Sequence, residues 1–174
     1  TITGICSIIL PTNSNSLPAT GGARPVLVSL SNAIDLAMNN TIRGLTIGNT
    51  TGTGLNGTSV GTSMVSEIGI NGTGAGVSID TGPLAMRFDE ISSSDSAGIE
   101  WINVSGDLDV TDGTIDSGRD TAVSISGNPV DLDVTLTSVS ADGAFNGIII
   151  DNTTGSFTVT GAGGTCSSDV TCTG

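Results

Sequence analysis

Apolar residues recur in this chain on two scales, every second residue within short segments and at a longer step between segments. Gly76-Val-Ser-Ile79, Gly98-Ile-Glu-Trp101, Ala122-Val-Ser-Ile125 and Gly147-Ile-Ile-Ile150 each open a unit, and their leading apolar residues Val77, Ile99, Val123 and Ile148 are 22, 24 and 25 residues apart. A second register travels with the first: Leu84-Ala-Met86, Leu108-Asp-Val110, Leu132-Asp-Val134 and Phe157-Thr-Val159. A third apolar position follows at Ile91, Ile115 and Val139. Backwards, Leu55 lies 22 residues before Val77 and Ala33 lies 22 before Leu55. The Leu55 unit has Met64 and Ile68 in the later places, and 41–47 supplies later strands of the Ala33 unit. Five turns are visible, with a sixth indicated by Val26-Leu-Val28.

Alternation at period two predicts strands with one face inward. Strands this short cannot bury that face alone, but successive units can bury it by stacking. The pattern therefore predicts an all-β solenoid with three short strands per turn and about 22–25 residues per turn. An amphipathic helix is excluded because Gly and Thr interrupt every run at i, i+3, i+4. The expected organisation is an N-terminal strand (5–10) and loop at 1–25 that covers the first turn, the solenoid at 26–164, and a Cys loop at 165–174. The pattern dissolves after Val159 without a polar cap, which predicts a further turn or another copy beyond it.

Composition supports this reading. The 174 residues include 26 Gly, four aromatics and no His or Tyr, and all four cations are Arg. Few large rings suit a narrow interior of stacked Val, Ile and Leu, and abundant Gly suits a turn after every strand. The net charge of −13 argues against a nucleic-acid partner, whose affinity comes from clustered Lys and Arg. No apolar run approaches the roughly 20 residues of a spanning helix.

The segment Thr41-Ile-Arg-Gly-Leu-Thr-Ile47, then Gly52-Thr-Gly-Leu55 and the recurring Gly-Ile or Gly-Val openings, resembles the right-handed parallel β-helix repeats of the pectin-lyase-like superfamily. The likeness is strongest to the Gly/Thr/Asn-rich strand repeats of large bacterial surface and autotransporter-type proteins, and it covers about residues 26–164. It implies an extracellular or cell-surface structural segment, adhesin-like or filament-forming, that associates end to end or with flanking repeats. The alternative it implies is a carbohydrate-binding or lyase-like β-helix, with calcium as its cofactor.

Each chemical motif meets a structural reading. Gly57-Thr-Ser-Val-Gly61 matches a nucleophile elbow, but the chain has no His or Lys to serve as base, so a strand-to-strand turn is expected. Gly52-Thr-Gly-Leu-Asn-Gly57 matches a dinucleotide fingerprint, but no helix follows it. The hydrolases of the resembled superfamily use paired Asp with a His, which this chain lacks, and its lyases use an Arg or Lys base beside calcium-binding carboxylates. Alignment of the repeats sets Arg87 beside Thr111 and Thr135, away from acidic residues, so no catalytic residue is assigned.

The pairs Asp107/Asp109 and Asp131/Asp133 fall on one strand of adjacent turns, stacked outward about 4.8 Å apart. Such carboxylates either recruit calcium or form a solvated acidic stripe. Cys166 and Cys172 are close enough in sequence for a local disulfide in an oxidising space, free thiols being the alternative, and Cys6 is left over. Sequons occur at Asn39, Asn49, Asn56, Asn71, Asn103 and Asn152, where turn-rich composition alone would place them. Trp101 shares the inward position of Ile79 and Ile125 and is expected in the core.

Overall fold

The structure is a computed structural model that describes residues 2–3, 23–161, 165–168 and 171–173. Every strand pair in its main sheet is parallel. Six successive coils open at Ile34, Leu55, Val77, Ile99, Val123 and Ile148, each leading residue in Cα register with the next. The chain is a parallel β-solenoid, as the long repeat predicts. The ladder begins at Ile34 and not at Ala33, because the first coil is one residue shorter than the 22-residue step assumed for it. Val26–Ser29 pairs with Thr46 and Ile47 and supplies the third side of a preceding coil.

Segments run through corners without breaking. Ala75–Ser93 is one continuous bent strand covering all three sides of its coil. Each of the six coils turns its first corner on a residue with left-handed backbone: Asn39 (φ 60°), Ser59 (55°), Thr81 (63°), Asn103 (54°), Gly127 (109°) and Asn152 (57°). Asn and Gly adopt that conformation at little cost, whereas the β-branched Thr81 is strained in it.

Apolar columns in register line the interior. Val77, Ile99 and Val123 are fully buried, as are Ile79, Trp101 and Ile125 two residues on. On the second side Ile42, Val65, Met86, Leu108 and Leu132 form one column, and Leu45, Ile68, Phe88, Val110, Val134 and Phe157 form another. The third side contributes Ile47, Ile70 and Ile91 in register, then Ile115 against Val139.

The glycines that open the units make room for that third side. A Cβ on Gly54 would come 2.9 Å from Ile70 Cγ2, one on Gly76 2.8 Å from Ile91 Cγ2, and one on Gly98 2.2 Å from Ile115 Cδ1. Buried hydroxyls tie the adjoining corner: Ser93 Oγ donates within reach of Gly74 O (2.9 Å) and Ser96 O (2.7 Å), and Ser117 Oγ donates to Asp120 O at 2.6 Å.

Three expectations change. Met64 is outward and half exposed, paired with Ala85, and Val65 takes the inward place. Met86, not Leu84, stacks on Leu108, and Phe157 stacks on Val134 with Val159 on Leu136. Ile68 belongs with Phe88, Ile91 with Ile70, and Ile115 opposes Ser93. The expected strand at 5–10 and Cys6 lie outside the described residues. Ile2–Thr3 runs parallel to Ile42–Arg43.

Candidate functional site

The outward residues of the second side form two columns that are acidic in the later coils. One runs Thr41, Met64, Ala85, Asp107, Asp131, and the other runs Arg87, Asp109, Asp133 toward the last coil. Asp107 stacks on Asp131 and Asp109 on Asp133, as the spacing predicts.

Arg87 does not stand beside Thr111. It is registered with Asp109, and its Nε donates to Asp109 Oδ2 at 2.6 Å. The register is two residues from the expected one, and pairing Met86 with Leu108 brings Arg87 onto Asp109. A groove of about 690 Å³ runs along this face, bordered by Arg43, Glu67, Arg87, Asp89, Asp109 and Asp133. Its cations are engaged within the fold: Arg43 pairs with Glu67, Arg87 with Asp109, and Arg24 reaches Asp89. The Arg43 guanidinium beside Glu67 holds that carboxyl below the usual range.

Among the described residues, three of the four stacked aspartates have side-chain partners. Asp109 accepts from Arg87, Asp131 Oδ1 accepts from Thr154 Oγ1 at 3.0 Å, and Asp133 Oδ1 accepts from Ser156 Oγ at 3.4 Å. Among the described residues no group of three or more His, Cys, Asp or Glu is arranged to hold a metal ion. The donor set is a row of outward carboxylates along the axis, with no converging cage of oxygens of the kind calcium takes.

Elsewhere polar side chains bridge coils. Asp35 Oδ1 accepts from Asn32 Nδ2 (2.7 Å) and Asn56 Nδ2 (2.8 Å), which lowers its pKa from the ordinary value. Asp112 accepts from Thr137 Oγ1 and from the Gly113 amide, both at 2.7 Å, with the same effect. The sequon asparagines act the same way: Asn39 Oδ1 accepts from Thr62 N (2.9 Å), Asn71 Nδ2 donates to Glu90 (2.9 Å), and Asn152 Nδ2 donates to Gly127 O (2.8 Å). Ser59 sits at a left-handed corner, so the elbow-like motif is a turn.

The ends of the stack differ from its middle. In the last coil the inward positions Ile148, Ile150 and Val159 are 42, 37 and 43 % exposed, whereas Val123, Ile125 and Leu136 one coil earlier are fully buried. Among the described residues, Ile148–Ile150 and Thr153–Val159 pair with the Val123–Leu136 strand on one side and with nothing on the other. Beyond them Thr165–Ser168 and Thr171–Thr173 form an antiparallel pair with Cys166 opposite Cys172 in the backbone register. Sequence reasoning did not anticipate the ion-paired face, although Arg87 and Asp109 are 22 residues apart, one coil step of the ladder. Comparison with protein-family profiles, with curated proteins and with solved structures finds no match.

Proposed function

We propose that the chain is a structural segment of an extracellular, surface-displayed β-solenoid rod, adhesin-like in role, whose last described coil accepts a further coil in register. The supporting observation is the contrast along single ladders: Val123 is fully buried and Ile148, stacked directly on it, is 42 % exposed. An open strand edge next to a row of half-covered isoleucines has what strand addition requires, main-chain hydrogen-bonding groups for affinity and apolar positions to continue the core. The incoming coil belongs to flanking repeats of the same protein or to a second copy. The net charge of −13 favours this geometry over lateral packing, because outward carboxylates repel side by side while the coil ends are apolar.

Sedimentation and negative-stain electron microscopy over a concentration series test the reading. Rods that lengthen with concentration, and that Ile150→Asp shortens without lowering the melting temperature of the interior, support it. Compact monomers at every concentration refute end-to-end assembly.

A further inference from the structure

The corner loop at 142–147 carries chemistry that the rest of the solenoid suppresses. Five Asx-Gly dipeptides occur at described positions: Asn56-Gly57, Asn71-Gly72, Asp112-Gly113, Asp142-Gly143 and Asn146-Gly147. In such a pair the glycine nitrogen can attack the side-chain carbonyl carbon of the preceding residue, because no β-carbon shields it. Ring closure needs a backbone that can rotate out of the extended range and an amide nitrogen that no acceptor holds.

Three of the five fail those conditions. Asn56 and Asn71 lie within the strands Thr53–Thr58 and Ser63–Gly72, and their amides donate to Asp35 and Glu90. Gly57 and Gly72 are themselves in ladder register with Ile79 and Ser93. Asp112 is held by Thr137 and by the Gly113 amide.

The other two pairs share one exposed loop between the strands Ser138–Ala141 and Ile148–Ile150. Asp142, Gly143, Phe145 and Asn146 are exposed, Phe145 completely so. The Asn146 side chain and the Gly147 N–H have no hydrogen-bond partner among the described residues, although the Gly147 carbonyl accepts from Ala122 N at 2.9 Å.

We propose that Asn146-Gly147 is a self-modification site, at which Asn146 deamidates through a succinimide formed with Gly147. The Gly147 nitrogen loses its proton and bonds to Asn146 Cγ, the Cγ–Nδ2 bond breaks, and Nδ2 leaves as ammonia. Water then opens either carbonyl of the five-membered ring, giving aspartate or isoaspartate at position 146. No oxidant, metal or enzyme takes part. The product adds a carboxylate to the loop that carries Asp142 and, in the isoaspartate form, one extra backbone methylene at position 146, two residues before the Ile148 ladder position. The inference is independent of the rod reading, because it depends on the loop alone.

The folded protein is aged in mildly alkaline buffer, quenched, unfolded and digested with trypsin. Cleavage after Arg43, Arg87 and Arg119 places Asn56 and Asn71 on the fragment 44–87 and Asn146 on 120–174. The expected result is the amide-to-acid mass step, with isoaspartate detected by enzymatic methyl transfer and mapped to position 146. The strand sites should react about tenfold more slowly or less, since they must first open locally. A chain aged in denaturant should lose that difference.

Gly147→Ala should slow the reaction while leaving the fold intact, because its Cβ would meet only Ala141 Cβ at 3.7 Å. Equal rates in the two fragments of the folded protein overturn the proposal. So does a shift mapped to Asn128 or Asn152, or an unchanged 120–174 fragment when the unfolded chain reacts.

Discussion

Replacing one ladder isoleucine in the middle of the stack should cost far more than the same replacement at its end. Ile99 is fully buried, with Val77 stacked on one side and Val123 on the other. Ile99→Ala removes apolar contacts to both neighbouring coils and leaves a cavity that two flanking ladders hold open, a change of about 2–5 kcal/mol. Ile148 stacks on Val123 alone and is already 42 % exposed. Ile148→Ala forfeits roughly half the transfer term and leaves no enclosed cavity, so its cost is about 1 kcal/mol. Urea unfolding followed by the fluorescence of Trp101 measures both, since this single tryptophan is fully buried two residues from Ile99 and reports the interior directly. Equal losses for the two variants would refute the claim that burial comes from stacking on both sides.

Three further substitutions test the corners and the bridges between coils. Thr81→Asn should raise stability by about 1 kcal/mol, because Thr81 holds φ 63° where Asn39, Asn103 and Asn152 serve in other coils, and a differential melt reads the gain. Gly106→Ala should destabilise by at least about 1–3 kcal/mol, because φ is 108° and the new Cβ would lie 2.0 Å from the Leu84 carbonyl oxygen; the urea midpoint reads the loss. The pKa values of Asp35, Glu67 and Asp112 are lowered in the fold by Asn32 and Asn56, by Arg43, and by Thr137. Groups shifted that way contribute stability above the ordinary carboxylate pKa of about 4, and it is lost as pH falls through their lower folded values. Melting temperatures should therefore drop with acidification in that window, and Asp112→Asn should flatten the drop.

Much of the fold was legible in the chain because a solenoid repeats its constraints. Val77, Ile99, Val123 and Ile148 were readable as one ladder since each follows Gly or Ala, and Gly76 and Gly98 clear space for Ile91 and Ile115 on the third side. The second side was less legible. Leu84, Met86 and Phe88 alternate at period two, so a two-residue slip preserves the inward pattern and leaves hydrophobicity unable to choose between registers. Corner length varies as well: Val123 and Ile148 are 25 residues apart in register, whereas Val130 and Thr153 are 23 apart.

The candidate site inherited that ambiguity. The Asp107/Asp131 and Asp109/Asp133 stacks were readable because both pairs share one 24-residue step. The Arg87–Asp109 pair was hidden by the slip. The hydrogen bonds that hold the Asn56 and Asn71 side chains to Asp35 and Glu90, and the exposure of Asn146, depend on packing between coils that no dipeptide motif encodes.

In-register stacking is tested most directly by nuclear Overhauser contacts in isotopically labelled protein between the backbones of Val77 and Ile99 and of Ile99 and Val123. A parallel solenoid gives cross-peaks at these long sequence separations, repeated along Met86, Leu108 and Leu132. Contacts confined to neighbouring segments in antiparallel hairpin pairs would contradict it.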